Sequence, residues 1–127
     1  MLLKIYKMKK ILIVDDEPNI VMSLEYTFKK NDFEVFIARD GIEALEIVKS
    51  NFPDIIILDV MMPLVDGYAT LEHIRKDSNL SHTKVIFLSA KNKASDIEKG
   101  MTLGADAYLT KPFSIKKVVE QVFELLN

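Results

Sequence analysis

One short run, residues 55–58, limits the possible folds of this chain more than any other feature. It contains three isoleucines and a leucine, and Pro53 and Pro63 lie on either side of it. A run this short, without alternating polar residues, predicts a β-strand that is buried on both faces, as in a parallel sheet. Asp59 follows the run directly. Because a buried carboxylate without a partner is costly, Asp59 either begins a turn or has a function.

Strands and helices alternate along the whole chain. Residues 11–14 and 85–88 are further buried runs, residues 33–38 contain a glutamate and predict an edge strand, and residues 106–109 predict a short last strand. A segment with apolar residues at helical spacing follows each strand. Five such alternations predict an α/β fold, a doubly wound parallel sheet with helices on both faces.

Length and composition exclude several classes of protein. The 127 residues are 49% hydrophobic, which predicts one globular domain. The net charge is −2 with both signs spread along the chain, so we expect no direct binding to nucleic acid or membranes. The absence of cysteine excludes disulfides and is compatible with the cytoplasm, where we expect the protein to be. Residues 1–8 lack the features of a signal peptide and are interpreted as an N-terminal extension.

Polar side chains follow four of the predicted strands. Asp15 and Asp16 follow the first strand, Asp59 the third and Ser89 the fourth, and Lys111 comes shortly after the last. Right-handed crossovers bring these strand ends to one edge of the sheet, where such folds bind their ligands. The sequence therefore predicts a cluster of carboxylates with one hydroxyl and one ammonium group.

The predicted cluster has the composition of a phosphoryl-transfer site. Neighbouring carboxylates repel one another unless positive charge lies between them. Lys111 supplies one such charge, and a divalent cation with oxygen ligands, such as Mg²⁺, would supply the rest. A carboxylate beside that cation can attack phosphorus and form an acyl phosphate. Lys111 and Ser89 would then balance charge on the phosphoryl oxygens.

Four segments of the chain resemble the receiver domains of two-component response regulators. These are residues 11–17, 54–63, 88–90 and 104–113, which occur in the family's order and at compatible spacings. The resemblance extends over residues 9–127, which would form the receiver domain. It implies a flavodoxin-like sheet of five strands in the order 2-1-3-4-5 with five helices.

The resemblance also implies how the acidic residues act. Asp59 would accept a phosphoryl group from the phosphohistidine of a histidine kinase or a phosphotransfer protein. Asp15, Asp16, Asp59 and the backbone carbonyl of Met61 would hold Mg²⁺. A receiver is a signalling domain and not an ordinary enzyme; at most it phosphorylates itself from small phosphodonors and slowly loses the phosphoryl group.

The remaining residues of the family pattern belong to the switch. Ser89 and Lys111 would contact the phosphoryl group, Tyr108 would turn inward behind it, and the peptide bond between Lys111 and Pro112 would be cis. The face formed by the fourth helix, the fifth strand and the fifth helix would then signal to a downstream protein or an output domain. Monomers or phosphorylation-dependent dimers are both compatible with this scheme.

Simpler interpretations of these residues stay open. The Asp15–Asp16 pair suits a helix N-terminus, Ser89 is a common helix cap, and Tyr108 could be an edge-strand core residue. Three other functions were also considered. The chain could be the receiver fragment of a longer transcriptional regulator. An aspartyl-nucleophile phosphatase would need an aspartate where Met61 stands, and a flavin mononucleotide site would need a phosphate loop where the Asp15–Asp16 pair stands.

Overall fold

Five parallel strands form one sheet at the centre of the structure, a computed structural model that describes residues 8–127. Their order is β2-β1-β3-β4-β5, as predicted, with the glutamate-containing strand at an edge. The predicted N-terminal extension lies outside the described residues except for Met8, which is exposed. The strands are β1 (Lys10–Val14), β2 (Glu34–Ala38), β3 (Ile55–Leu58), β4 (Lys84–Ser89) and β5 (Ala107–Thr110).

A helix follows each strand, which confirms the predicted alternation. Two of the helices begin with an aspartate whose side chain accepts a backbone N–H: Asp40 at α2 and Asp66 at α3. Ser114 does the same at α5, and such caps satisfy N–H groups that the helix itself leaves unpaired. The helices are α1 (Pro18–Lys30), α2 (Gly41–Asn51), α3 (Gly67–Lys76), α4 (Ala94–Thr102) and α5 (Ile115–Leu126). A short 3₁₀ helix, Ser78–Leu80, lies between α3 and β4.

The strand side chains alternate between two hydrophobic layers, one on each face of the sheet. One layer combines alternate residues of β1, β3 and β4 with α2 and α3. The other combines the remaining strand residues with α1 and α5. All four residues of β3 are buried, as the apolar run predicts for a strand that is covered on both faces. None of the helices within residues 8–127 is long and apolar enough to cross a membrane.

The parallel register brings the carboxyl ends of the central strands to one edge. Val14 pairs with Leu58, so the residues that follow β1 and β3 leave the sheet side by side. Leu58 pairs with Phe87, and Ser89 pairs with Thr110. The ends of β1, β3, β4 and β5 therefore surround one crevice, the place where sheets of this kind bind ligands.

Candidate functional site

Three carboxylates lie together at this edge of the sheet. One carboxylate oxygen from each of Asp15, Asp16 and Asp59 lies within 4.8 Å of the other two. Asp15 and Asp59 are buried, whereas Asp16 is exposed. Backbone N–H groups orient the two buried carboxylates: Glu17 donates to Asp15 Oδ1 at 2.9 Å, and Met61 donates to Asp59 Oδ1 at 3.3 Å. The structure thus places the predicted acidic residues in one cluster.

Lys111 reaches into the same cluster from the end of β5. Its Nζ donates to Asp15 Oδ2 at 3.1 Å and to Glu17 Oε1 at 3.0 Å, and it lies 3.5 Å from Asp59 Oδ2. Its backbone N–H donates to the carbonyl of Ser89 at 2.8 Å, which ties the lysine to the end of β4. The Lys111–Pro112 peptide bond is cis, as the family pattern implies. An ammonium group therefore lies beside Asp59, where the sequence predicted one.

Burial and charge shift two pKa values in the cluster. Burial raises the pKa of Asp59; the charge of Lys111 and the N–H of Met61 oppose this rise, and the negative charge of Asp15 adds to it. Burial works to lower the pKa of Lys111, but its hydrogen bonds to Glu17 and Asp15 and the charge of Asp59 outweigh burial and raise it. At neutral pH the ammonium group of Lys111 therefore stays charged, and it lies among closely spaced carboxyl groups.

Ser89 and Tyr108 are joined through the loop between β4 and α4. Ser89 is completely buried, and its hydroxyl accepts the backbone N–H of Lys91 at 3.2 Å. The hydroxyl of Tyr108 donates to the carbonyl of the same residue at 2.8 Å. The ring of Tyr108 packs against Phe87 with centroids 5.6 Å apart, so it lies inward. Burial raises the pKa of Tyr108, and its proximity to Tyr68 raises it further, so the hydroxyl stays protonated as a donor.

Sequence reasoning missed two residues that shape the site. Glu17 was seen only as part of an acidic run, although its carboxylate lies 3.0 Å from Lys111 Nζ. Gly67 is the first residue of α3, and a Cβ placed there would overlap the carbonyl oxygen of Asp59. The sequence gives no signal for either role beyond the charge of Glu17 and the presence of a glycine at position 67.

The donor set suits a hard divalent cation. Asp15, Asp16 and Asp59 offer only carboxylate oxygens, and at least one of them is open to solvent, so bound water could complete the coordination. Burial, with a smaller contribution from the charge of Asp15, raises the pKa of Asp59, and added positive charge would oppose that rise. The N–H of Met61 points to Asp59, while its carbonyl as a metal ligand stays a prediction.

Comparison with known protein families agrees with the geometry of the site. The response regulator receiver domain family model matches residues 11–123 of the chain. The chain belongs to this family. The assignment confirms the predicted family, and the observed strand order confirms the predicted fold.

Relatives of known sequence are transcriptional regulators. The receiver is 41% identical over 119 residues to the alkaline phosphatase synthesis transcriptional regulatory protein PhoP of Bacillus subtilis (strain 168), covering 94% of this chain and 49% of that protein. It is 42% identical over 119 residues to the probable transcriptional regulator ycf27 of Cyanophora paradoxa, covering 94% and 48%. The chain thus spans about half the length of the curated relatives it matches.

Solved structures of similar shape are receiver domains. The Francisella response regulator 1452 receiver domain has a TM-score of 0.86 and 38% identity, covering 93% of this chain and 96% of that one. The chemotaxis response regulator CheY4 of Vibrio cholerae has a TM-score of 0.88 and 30% identity, covering 94% and 100%. The receiver fold is therefore similar both to isolated receiver domains and to chemotaxis regulators.

The raised pKa of Asp59 predicts that this residue lowers the stability of the receiver. We expect Asp59→Asn to raise the free energy of unfolding by about 1 kcal/mol at neutral pH in metal-free buffer, because it removes a crowded buried charge. An acid whose pKa is raised by folding destabilises the fold only while it is ionised. The gain should therefore be present above that raised pKa and disappear as the pH falls toward 3.8.

Urea unfolding followed by circular dichroism, at pH values between neutral and acid, tests this prediction. Asp66→Asn is the matched control, because asparagine also caps a helix and Asp66 accepts only the N–H of Ala69 among the side-chain bonds of the described residues. It should change stability by less than about 0.5 kcal/mol. A loss of stability in Asp59→Asn at neutral pH would contradict the prediction.

Proposed function

We propose that this receiver is a phosphorylation-activated switch in which Asp59 accepts the phosphoryl group. The observation that carries the proposal is the buried Asp59 carboxylate, held between the Lys111 ammonium group and the Asp15–Asp16 pair. A structural role alone does not explain two buried acids and a partly buried lysine at the ligand-binding edge of the sheet. Family membership supports the same role. The donor would be the phosphohistidine of a histidine kinase or a phosphotransfer protein.

In the proposed transfer, a carboxylate oxygen of Asp59 attacks the phosphorus atom of phosphohistidine. The new O–P bond forms as the N–P bond breaks, and the imidazole leaves with the bonding electron pair. Lys111 lies 3.5 Å from Asp59 Oδ2 and can bind the incoming phosphoryl oxygens. Asp15, Asp16, Asp59 and the Met61 carbonyl would hold Mg²⁺, which supplies further positive charge to those oxygens when it is bound.

The loop between β4 and α4 would pass the change on to the surface. The Ser89 hydroxyl can donate its hydrogen to a phosphoryl oxygen while it accepts the N–H of Lys91. The hydroxyl of Tyr108 donates a hydrogen bond to the carbonyl of Lys91, so a shift of this loop would move the tyrosine. We place the signalling surface on the face formed by α4, β5 and α5.

Acetyl phosphate tests the acceptor directly. We expect incubation with acetyl phosphate and Mg²⁺ to add one phosphoryl group by intact mass, and borohydride trapping followed by peptide mapping to locate it at Asp59. Addition of a chelator should prevent the reaction, and the phosphoryl group should be lost slowly after the donor is removed. A protein that stays unmodified, or an Asp59→Asn variant that is modified equally, would refute the proposal.

The length of the relatives bears on what the receiver controls. PhoP of Bacillus subtilis and ycf27 are transcriptional regulators about twice as long as this chain. We propose that the receiver controls an output domain or a downstream protein in the cytoplasm, without itself contacting DNA. Its net charge of −2 supports the last point. Analytical ultracentrifugation with and without beryllofluoride would show whether activation also produces a dimer.

The phosphatase and the flavin mononucleotide binder find no support in the site. A phosphatase with an aspartyl nucleophile needs a second aspartate where Met61 stands, and the family match extends over that position. A flavin mononucleotide site would have to place its phosphate beside Asp15 and Asp16, which would repel it. Neither function is proposed further.

A further inference from the structure

Glu17 occupies a position that its place in the helix does not explain. It is the N-cap residue of α1, yet its side chain makes no capping hydrogen bond. The residues that usually cap helices have short polar side chains, which glutamate lacks. Its carboxylate instead extends across the mouth of the site to Lys111 Nζ, 94 residues along the chain. The side chain thus serves the site and not the helix.

The Glu17 contact bears directly on the lysine that phosphoryl transfer needs. At 3.0 Å it is the shortest of the three carboxylate contacts of Lys111; those to Asp15 and Asp59 measure 3.1 Å and 3.5 Å. The two buried partners are part of the acidic cluster, but the side chain of Glu17 is 58% exposed. Of the three carboxylate partners of Lys111, Glu17 is therefore the one that is open to solvent.

Glu17 also adds negative charge where the incoming group is an anion. Within residues 8–127, Lys111 is the one cation in salt-bridge contact with Asp15 or Asp59. Glu17 shares that cation and repels an anionic donor, so both effects act in the same direction. The repulsion grows in proportion to the charge of the donor.

We infer that Glu17 is a positioning residue that holds Lys111 toward the mouth of the site and selects against highly charged phosphodonors. This inference rests on the proposed function of Asp59. Glu17 does not touch the reacting atoms; it acts through Lys111 and through its own charge. Donors with low charge are thereby favoured over dianionic small molecules.

The test compares two small donors that differ in charge. At neutral pH acetyl phosphate is a dianion and phosphoramidate is a monoanion. With saturating Mg²⁺, we expect Glu17→Gln to accelerate phosphorylation by about three-fold with phosphoramidate and about seven-fold with acetyl phosphate, as for charges roughly 7 Å apart in water. Both gains should shrink as the salt concentration rises. The decisive quantity is the ratio of the two rates.

Glu34→Gln is the matched control. It removes the same charge from an exposed side chain at the first residue of β2, the opposite edge of the sheet. It should leave the ratio of the acetyl phosphate rate to the phosphoramidate rate unchanged. If the wild type is phosphorylated but Glu17→Gln has the same ratio as Glu34→Gln, the inference is wrong. If neither donor modifies the wild type, the proposed function itself fails.

A metal-free measurement tests the contact without phosphorylation. The thermal unfolding midpoints of the wild type, Glu17→Gln, Lys111→Met and the double variant form a mutant cycle in a chelating buffer. Because the two side chains contact each other, we expect the shifts to be non-additive, with Glu17→Gln lowering the midpoint less in the Lys111→Met background. Additive shifts would overturn the role of Glu17 in positioning Lys111.

Discussion

Lys111→Met is expected to lower the free energy of unfolding by about 2 to 3 kcal/mol at neutral pH in metal-free buffer. The substitution leaves Asp15 and Asp59 buried beside each other without the ammonium group that now lies 3.1 Å and 3.5 Å from them. Breaking a buried ion pair from one side is costly because the remaining charge has neither water nor a partner. Because Asp16 and Glu17 are exposed, water can reach the cluster, which keeps the loss below the roughly 3 to 5 kcal/mol typical of a fully buried pair.

The pH dependence follows from the signs of the two pKa shifts. The pKa of Lys111 is raised, so its stabilising contribution is complete below 10.5 and is lost as the pH rises through the higher value in the folded protein. The pKa of Asp59 is also raised, so Asp59 takes up its proton before ordinary carboxyl groups as the pH falls. The difference between Lys111→Met and the wild type should therefore be largest near neutral pH and decrease in acid.

Urea unfolding at several pH values measures this difference. Lys116→Met is the control, because Lys116 is 87% exposed and its ion pair with Glu120 spans 3.9 Å on the surface of α5. It should cost less than about 0.5 kcal/mol. Phosphorylation by acetyl phosphate should also slow about a hundred-fold in Lys111→Met, since the substitution removes the charge that we propose to bind the phosphoryl group. Equal stability losses in the two lysine variants would contradict the argument.

The sequence predicted the sheet because its strands are unusual in composition. A four-residue run such as β3, with no polar residue, is stable only where both faces are covered, and the alternation of strands with helices makes a parallel sheet between helices the expected arrangement. The polar residues after each run then had to share one edge, which predicted the contact of Lys111 with Asp15 and Asp59. The order of the strands came from the family resemblance, since apolar runs do not show which strands are neighbours.

Contacts made by long side chains could not be predicted in the same way. Arg75 on α3 donates to the carbonyls of Gly104 and Thr83 and to the carboxylate of Asp106, at 2.9, 2.7 and 3.1 Å. This network ties α3 to the starts of β4 and β5, yet no residue spacing in the sequence predicts it. The contact of Glu17 with Lys111 could not be predicted for the same reason, because the reach of a flexible side chain depends on which loops the fold brings together.

Short-range sterics are equally hidden in the sequence, and Gly67 is the example with the largest consequence. Gly67 is the first residue of α3, and its N–H donates to the carbonyl of Val60 at 2.9 Å. A Cβ at this position would overlap the carbonyl oxygen of Asp59 and lie 2.8 Å from the Cα of Val60. Both are backbone atoms of the segment that carries Asp59, so they cannot move aside as a side chain could.

Gly67→Ala is therefore expected to destabilise the receiver by about 3 kcal/mol and to impair phosphorylation, because α3 or the Asp59 segment must shift. Gly100→Ala is the control: its Cβ would meet ring carbons of Phe87 and Tyr108 at 3.0 Å, and alanine also favours the helix by about 1 kcal/mol. Urea unfolding and the acetyl phosphate reaction measure both variants. If the packing of α3 against the backbone holds Asp59 in place, Gly67→Ala must be the more damaging by each measurement. Equal effects would mean that the backbone at Asp59 adjusts without cost, and that its position depends on the charge cluster alone.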